Sequence, residues 1–143
     1  MPRDGSFSVV IQGNPLALPK SESDQVIAWR LRLPAWTFGA RFVPVDDAAS
    51  RRVLRLVLVF DPASRRLGGN AACADAGAVP TASEASSLAL LAVFCNANTA
   101  LSQTIVSGRR STGADNPQLV QLLNRATRAV FAYDQPGPRR GGN

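Results

Sequence analysis

Histidine is absent from this chain. Its absence removes the commonest general base, the usual partner of a nucleophilic serine or cysteine, and the commonest metal ligand. Cysteine is nearly absent too: Cys73 and Cys95 are the only two, and two cysteines alone do not make a structural zinc site. Aromatic residues are 6% of the chain, a thin supply for stacking bases of single-stranded nucleic acid. No run approaches the roughly 20 apolar residues of a membrane-spanning helix. The opening MPRDGSFSVV has neither an apolar core nor a small-residue cleavage site, so no signal peptide is expected in it. Gly13-Asn14-Pro15 and Gly68-Gly69-Asn70 lack the spacing of a phosphate-binding loop. The expectation is a protein with no catalytic residues, no cofactor and no metal.

What is present suits one folded unit. The 143 residues are the size of a single domain, long enough to bury a core without a metal or many disulfides. Hydrophobic residues reach 45% and charged ones 18%, the second figure being low for a globular protein. The net charge is +6, carried by one lysine, Lys20, and fifteen arginines. Arginine dominance beside abundant alanine, glycine and proline reads as the usage of a GC-rich genome. Basic residues point to a polyanion only when they cluster in space. Arginine pairs stand at 51–52, 65–66, 109–110 and 139–140; a basic rim would need the loops of the middle pairs to converge, and solvated loop charge is the preferred reading.

Periodicity divides the chain into short elements. FSVVIQ at 7–12 reads as a strand closed by the Gly13-Asn14-Pro15 turn. A helix is expected at about 22–32, started by Ser21 with Asp24 or by Ser23 and ended by Pro34. WTFGARFVPVDD at 36–47 alternates as a strand broken or bulged at Pro44. RRVLRLVLVFDP at 51–62 is the strongest strand. Val53, Val57 and Val59 lie on one face, and Leu54, Leu56, Leu58 and Phe60 on the other, so a central strand covered on both sides is expected. Residues 63–86 show no period and read as a long loop, of the kind that is functional, tied down or mobile. SLALLAVFC at 87–95 is a second two-faced strand. It turns at Asn96-Ala97-Asn98-Thr99 into a more polar return arm, 101–108, expected nearer a sheet edge. The last element is a helix with Asn116 as N-cap, Pro117 at its first position, and Leu119, Leu122, Leu123, Ala126 and Val130 on one face.

The resulting order is β-α-β-β-loop-β-β-α. It predicts a single α+β domain over 1–133: a mostly antiparallel twisted sheet of four to five strands with two helices packed on one face. The tail 134–143, DQPGPRRGGN, has the composition of disorder.

Three groups of side chains invite a functional reading. Cys73, in the long loop, and Cys95, at a strand end, could be a bridge, two core thiols, or a nucleophile. No helix N-terminus follows Cys95, and Arg109 or Arg110 would reach it only by accident of folding, which disfavours a nucleophile. A disulfide is preferred, in an oxidising compartment; closing a loop of that length contributes roughly 3 kcal/mol. Asp46, Asp47 and Asp61 could meet at one end of the sheet around a cation, yet each sits where a turn residue belongs. Trp29, Trp36 and Phe38 flank Pro34 as the richest aromatic stretch, either a buried corner or a partner-binding patch, since aromatics and arginine are enriched at binding hot spots. Arg65 and Arg66 in the long loop complete that candidate surface.

Several segments, taken together and in order, carry a resemblance: FSVVIQGNP at 7–15, VLVFDP at 57–62, Cys73 with AVFC at 92–95, Leu101-Ser102, and DNPQLVQLL at 115–123 running on to Val130-Phe131. This pattern resembles a family of bacterial cell-envelope proteins, often lipoproteins, of unknown function. The resemblance covers most of the chain. It implies a periplasmic or envelope location and oxidised cysteines, and it brings no catalytic residues with it. The expected protein is thus a non-enzymatic structural or protein-binding subunit of the envelope, with a protein partner. Membrane association would be indirect or through a lipid anchor absent from this sequence. The alternative is a cytoplasmic basic module for a polyanion such as nucleic acid, which the scarcity of aromatics disfavours.

Overall fold

The structure is a computed structural model that describes residues 6–16, 18–31, 41–47, 54–63, 68–82, 86–110 and 117–132. Among these residues, five strands form one sheet in the order β2-β1-β3-β4-β5. They are β1 (Ser6–Gln12), β2 (Arg41–Pro44), β3 (Leu54–Phe60), β4 (Ser87–Asn96) and β5 (Thr99–Arg109). Three helices accompany them: α1 (Lys20–Arg30), α2 (Gly69–Ala74) and α3 (Pro117–Ala132), with a 3-10 turn at Ala76–Ala78 after α2. The α+β class, the five strands and the two long helices on one face agree with the sequence.

Strand direction does not follow the expectation of a mostly antiparallel sheet. β1 pairs parallel with both β2 and β3, whereas β3–β4 and β4–β5 are antiparallel, so the sheet is mixed. The cause lies in the connections. α1 carries the chain from β1 back to start β2 alongside it, which is the crossover that parallel neighbours require, while a two-residue turn at Ala97-Asn98 can join only antiparallel strands.

The alternation read in the sequence sorts the core into two layers. Val9, Ile11, Leu56, Leu58, Phe60, Leu88, Leu90, Ala92 and Phe94 face one side, where they meet Ile27 and Ala28 of α1 and Leu119, Leu122, Leu123, Ala126 and Val130 of α3. Phe7, Phe42, Phe94 and Phe131 gather at one end of this layer with ring centroids 5.1–6.4 Å apart, a geometry that adds to area burial. Val10, Val57, Val59, Leu91, Val93 and Cys95 face the other side. β3 and β4 are therefore buried on both faces, as expected of central strands. The expectation for β5 also holds: it is the sheet edge beyond β4, and none of its residues is buried.

Several boundaries move. α1 begins at Lys20 rather than near residue 22, with Pro19 as its N-cap and no side-chain cap. Ser21 and Ser23 do not cap; Ser23 is fully buried, and Asp24 pairs with Lys20 one turn back. β2 is only four residues long and ends at Pro44, which an edge strand tolerates. β4 and β5 run on to Asn96 and from Thr99, so the turn shrinks to two residues. Pro117 opens α3 as predicted, while Asn116, Pro34, Val53 and the tail 134–143 lie outside the described residues.

The largest correction concerns 63–86. Its described part is no plain loop, because α2 and the 3-10 turn lie within it and cover the second face of the sheet with Ala72, Cys73 and Ala76. Six residues of glycine, asparagine, alanine and cysteine show no helical period, and a helix that short is held by what it touches rather than by propensity.

Candidate functional site

The second face is built around α2 and what fastens it. Cys73 on α2 is joined to Cys95 on β4 by a disulfide, with Cα atoms 5.6 Å apart and both residues fully buried. Of the roles open to the pair, the bridge is the one realised, and no free cysteine is present. The cation near it comes from an unexpected place. Arg55 stands beside Cys95 across the β3–β4 ladder and is fully buried. Its Nη2 donates to the carbonyl of Cys73 in the last turn of α2, and its Nη1 donates to the carbonyl of Ala97 in the β4–β5 turn at 3.0 Å. The guanidinium thus satisfies a helix-end carbonyl that lacks an intrahelical partner and fixes a hairpin turn at the same time. Ala97 holds a left-handed φ of 53° there.

The other end of α2 is fastened to the start of β5. The Gly69 amide donates to Gln103 Oε1 at 2.8 Å, and the Ala100 amide donates to Asn70 Oδ1 at 2.8 Å. Glycine is required at 69, because a Cβ there would stand 2.5 Å from Gln103 Oε1 and 2.8 Å from the Cβ of Ala100. Beyond α2, Asp75 Oδ1 accepts from the Gly77 amide at 3.1 Å and Asp47 Oδ2 from the Ala76 amide at 3.2 Å, so carboxylates cap the 3-10 turn.

The carboxylates do not converge on a cation. Asp61 Oδ1 accepts from Arg110 Nη2 at 2.7 Å and from the Ala89 amide at 3.4 Å, with the Asp61 backbone at a left-handed φ of 57°. It closes β3, as a turn residue does. Among the described residues, no three His, Cys, Asp or Glu side chains gather in a metal-binding group.

A shallow cleft of about 390 Å³ opens where β1 and β2 end, between the first turns of α1 and the chain leaving β2. In open sheets this position, outside the carboxyl ends of parallel strands, is where small ligands collect. Its charged lining is Lys20, Asp24, Asp46 and Asp47, and Ser21 supplies the only hydroxyl among the lining residues. Lys20 Nζ donates to the Ile11 carbonyl at 2.9 Å and pairs with Asp24. Three carboxylates against one committed ammonium make the described lining acidic in a chain of net charge +6. Such a cleft does not suit phosphate or a polyanion.

Among the predicted surface residues, Trp29 is described and stands near the end of α1 with 73% of its area exposed. The buried-corner reading does not hold at Trp29. Trp36, Phe38, Arg65 and Arg66 lie outside the described residues. Arg55 and Gly69 were missed by sequence reasoning. The only signal for Arg55 was a charge in a strand otherwise apolar on both faces. No described helix is long and apolar enough to cross a membrane.

No protein-family model matches the chain, no curated protein matches it, and no solved structure matches it.

Proposed function

We propose that this chain is a non-enzymatic, disulfide-braced α+β module of the bacterial cell envelope that acts as a structural or protein-binding subunit. The observation that carries the reading is the Cys73–Cys95 bridge. It is buried inside a brace that also holds Arg55, and it fastens the short helix packed on the second face of the sheet. Disulfides of this structural kind persist in oxidising compartments such as the periplasm. The resemblance of the chain's segments to envelope proteins supports the same location. A protein partner is favoured by the exposed Trp29, because a large exposed aromatic is a typical binding anchor.

Mass spectrometry under denaturing, non-reducing conditions tests the reading on protein taken from fractionated cells. An intact bridge in the envelope fraction is the expected result; two free thiols in a cytoplasmic fraction would overturn it. The alternative, a cytoplasmic polyanion module, draws on the exposed Arg109, Arg125 and Arg128. It is weakened by the burial of Phe7, Phe42, Phe94 and Phe131 in the core, which leaves those rings unable to stack on bases. Binding of nucleic-acid probes with a steep salt dependence would favour it.

A further inference from the structure

β5 is the longest strand of the sheet, at 11 residues, and no described strand pairs with its outer side. The ladder shows which of its backbone groups face outward. The Asp61 amide donates to the Ala89 carbonyl, so Ala89, Leu91 and Val93 direct their peptide groups toward β3. Leu90, Ala92 and Phe94 therefore face β5, where they oppose Val106, Thr104 and Ser102. By the same alternation, Gln103, Ile105 and Ser107 turn their N–H and C=O groups away from the sheet. The Ser107 carbonyl confirms this, because it accepts a long 3.4 Å bond from Arg125 Nη2 on α3 instead of a strand partner.

Long open edges are normally blunted by proline, lysine or an inward charge. From Thr99 to Gly108 this strand has none of these, and its one irregularity is the bulge near the hairpin turn, opposite Phe94 and Cys95. Charge is also segregated. β5, the residue after it and α3 carry Arg109, Arg110, Arg125 and Arg128 and no carboxylate, whereas the described acids belong to α1 and to the segments after β2, β3 and α2. Arg110 is committed to Asp61. Arg109, Arg125 and Arg128 are exposed, and Arg125 touches the edge itself.

We infer that β5 is a strand-addition site whose partner is an extended, carboxylate-bearing segment of another protein. Resting on the protein-binding reading above, this inference names the surface and the chemistry of the partner. The main chain supplies affinity through Gln103, Ile105 and Ser107, and the arginines select acids. Addition is antiparallel, so the acids stand at the N-terminal end of the incoming segment, opposite Ser107 and Arg109. A second copy of the chain fits less well, since it would bring to the arginine-flanked end a Thr99 end that has no carboxylate.

The probe is a fluorescent synthetic peptide of alternating threonine and valine with a glutamate pair at its N-terminal end, titrated into the oxidised full chain. The peptide is expected to bind and to protect the Gln103, Ile105 and Ser107 amides from hydrogen exchange. Ile105→Pro removes an outward N–H that β4 does not use, and should weaken binding about tenfold. Arg109→Gln with Arg125→Gln should weaken it about fivefold and flatten its salt dependence. A peptide N-methylated on alternate residues tests the same hydrogen bonds without touching the protein, and should lose binding as Ile105→Pro does. Undiminished binding of the N-methylated peptide would overturn the inference, as would equal binding of a lysine-for-glutamate peptide or failure of the parent peptide to bind. So would displacement of the peptide by a single-stranded oligonucleotide, or a stable dimer that buries β5. Because the thiol measurement above is independent of all these outcomes, the strand-addition site can fail while the envelope reading stands.

Discussion

Removing the Cys73–Cys95 bridge tests the claim that the second face is held by a brace. The bridge spans 22 positions, and closing a loop of that size lowers the entropy of the unfolded chain enough to stabilise the fold by about 3.4 kcal/mol. For a chain of 143 residues, an unfolding entropy of about 0.3 kcal/mol/K turns that loss into a fall in Tm of about 11 °C. Reduction of the unmodified chain is the cleaner perturbation, because it keeps both sulfur atoms in place, whereas Cys73→Ala with Cys95→Ala adds a cavity. Urea unfolding followed by circular dichroism, with and without reductant, gives the stability directly, and the m-value should rise because an uncrosslinked unfolded chain exposes more surface. Hydrogen exchange then shows where the loss falls. Amides of Ala72–Ala78 should lose more protection than those of β3 and β4, whose loss should match the fall in global stability. A reduced chain within about 1 kcal/mol of the oxidised one would refute the loop-closure argument. Equal loss at Ala72–Ala78 and in β3 and β4 would refute the picture of a local brace.

Arg55→Ala should cost about 3 kcal/mol, measured by chemical denaturation, because it leaves the buried carbonyl of Cys73 and the half-buried carbonyl of Ala97 without their donor. Arg55→Lys should recover only part of this, since an ammonium cannot span both carbonyls as the planar fork does. Gly69→Ala should lower stability by about 1–2 kcal/mol despite alanine's better helix propensity, because its Cβ displaces Gln103. Adding Gln103→Ala to that variant should relieve part of the loss in the same urea assay. Ser23→Ala should raise stability by about 1 kcal/mol, because the Ser23 hydroxyl is buried in α1 with no hydrogen-bond partner among the described residues; a lower Tm would show that the hydroxyl makes a bond the packing does not reveal.

Much of the fold could be read in the residues. β3 and β4 are apolar on both sides, a pattern that only a strand covered on both faces can satisfy. α3 shows its buried stripe from Leu119 to Val130, and every member of that stripe is buried. α1 is less legible, since most of its residues are polar and its buried residues are Ser23, Ile27 and Ala28 alone. The candidate surface was legible only at Trp29, whose exposure depends on which side of α1 meets the sheet.

The residues by themselves determined the α+β class, the two central strands, the hairpin, the last helix and the pairing preference of the two cysteines. Each of these depends on near neighbours: alternation along a strand, a 3.6-residue stripe, a turn between two arms, or the scarcity of thiols. Tertiary structure alone decided the parallel pairing of β1 with β2 and β3, the existence of α2, the burial of Arg55 and the acidic cleft. Those features depend on groups far apart in sequence. Arg55 is 18 positions from Cys73 and 42 from Ala97, and Gly69 is 34 from Gln103. Local preference is a weak force over six residues of α2, and hydrogen bonds and a bridge from remote strands outweigh it.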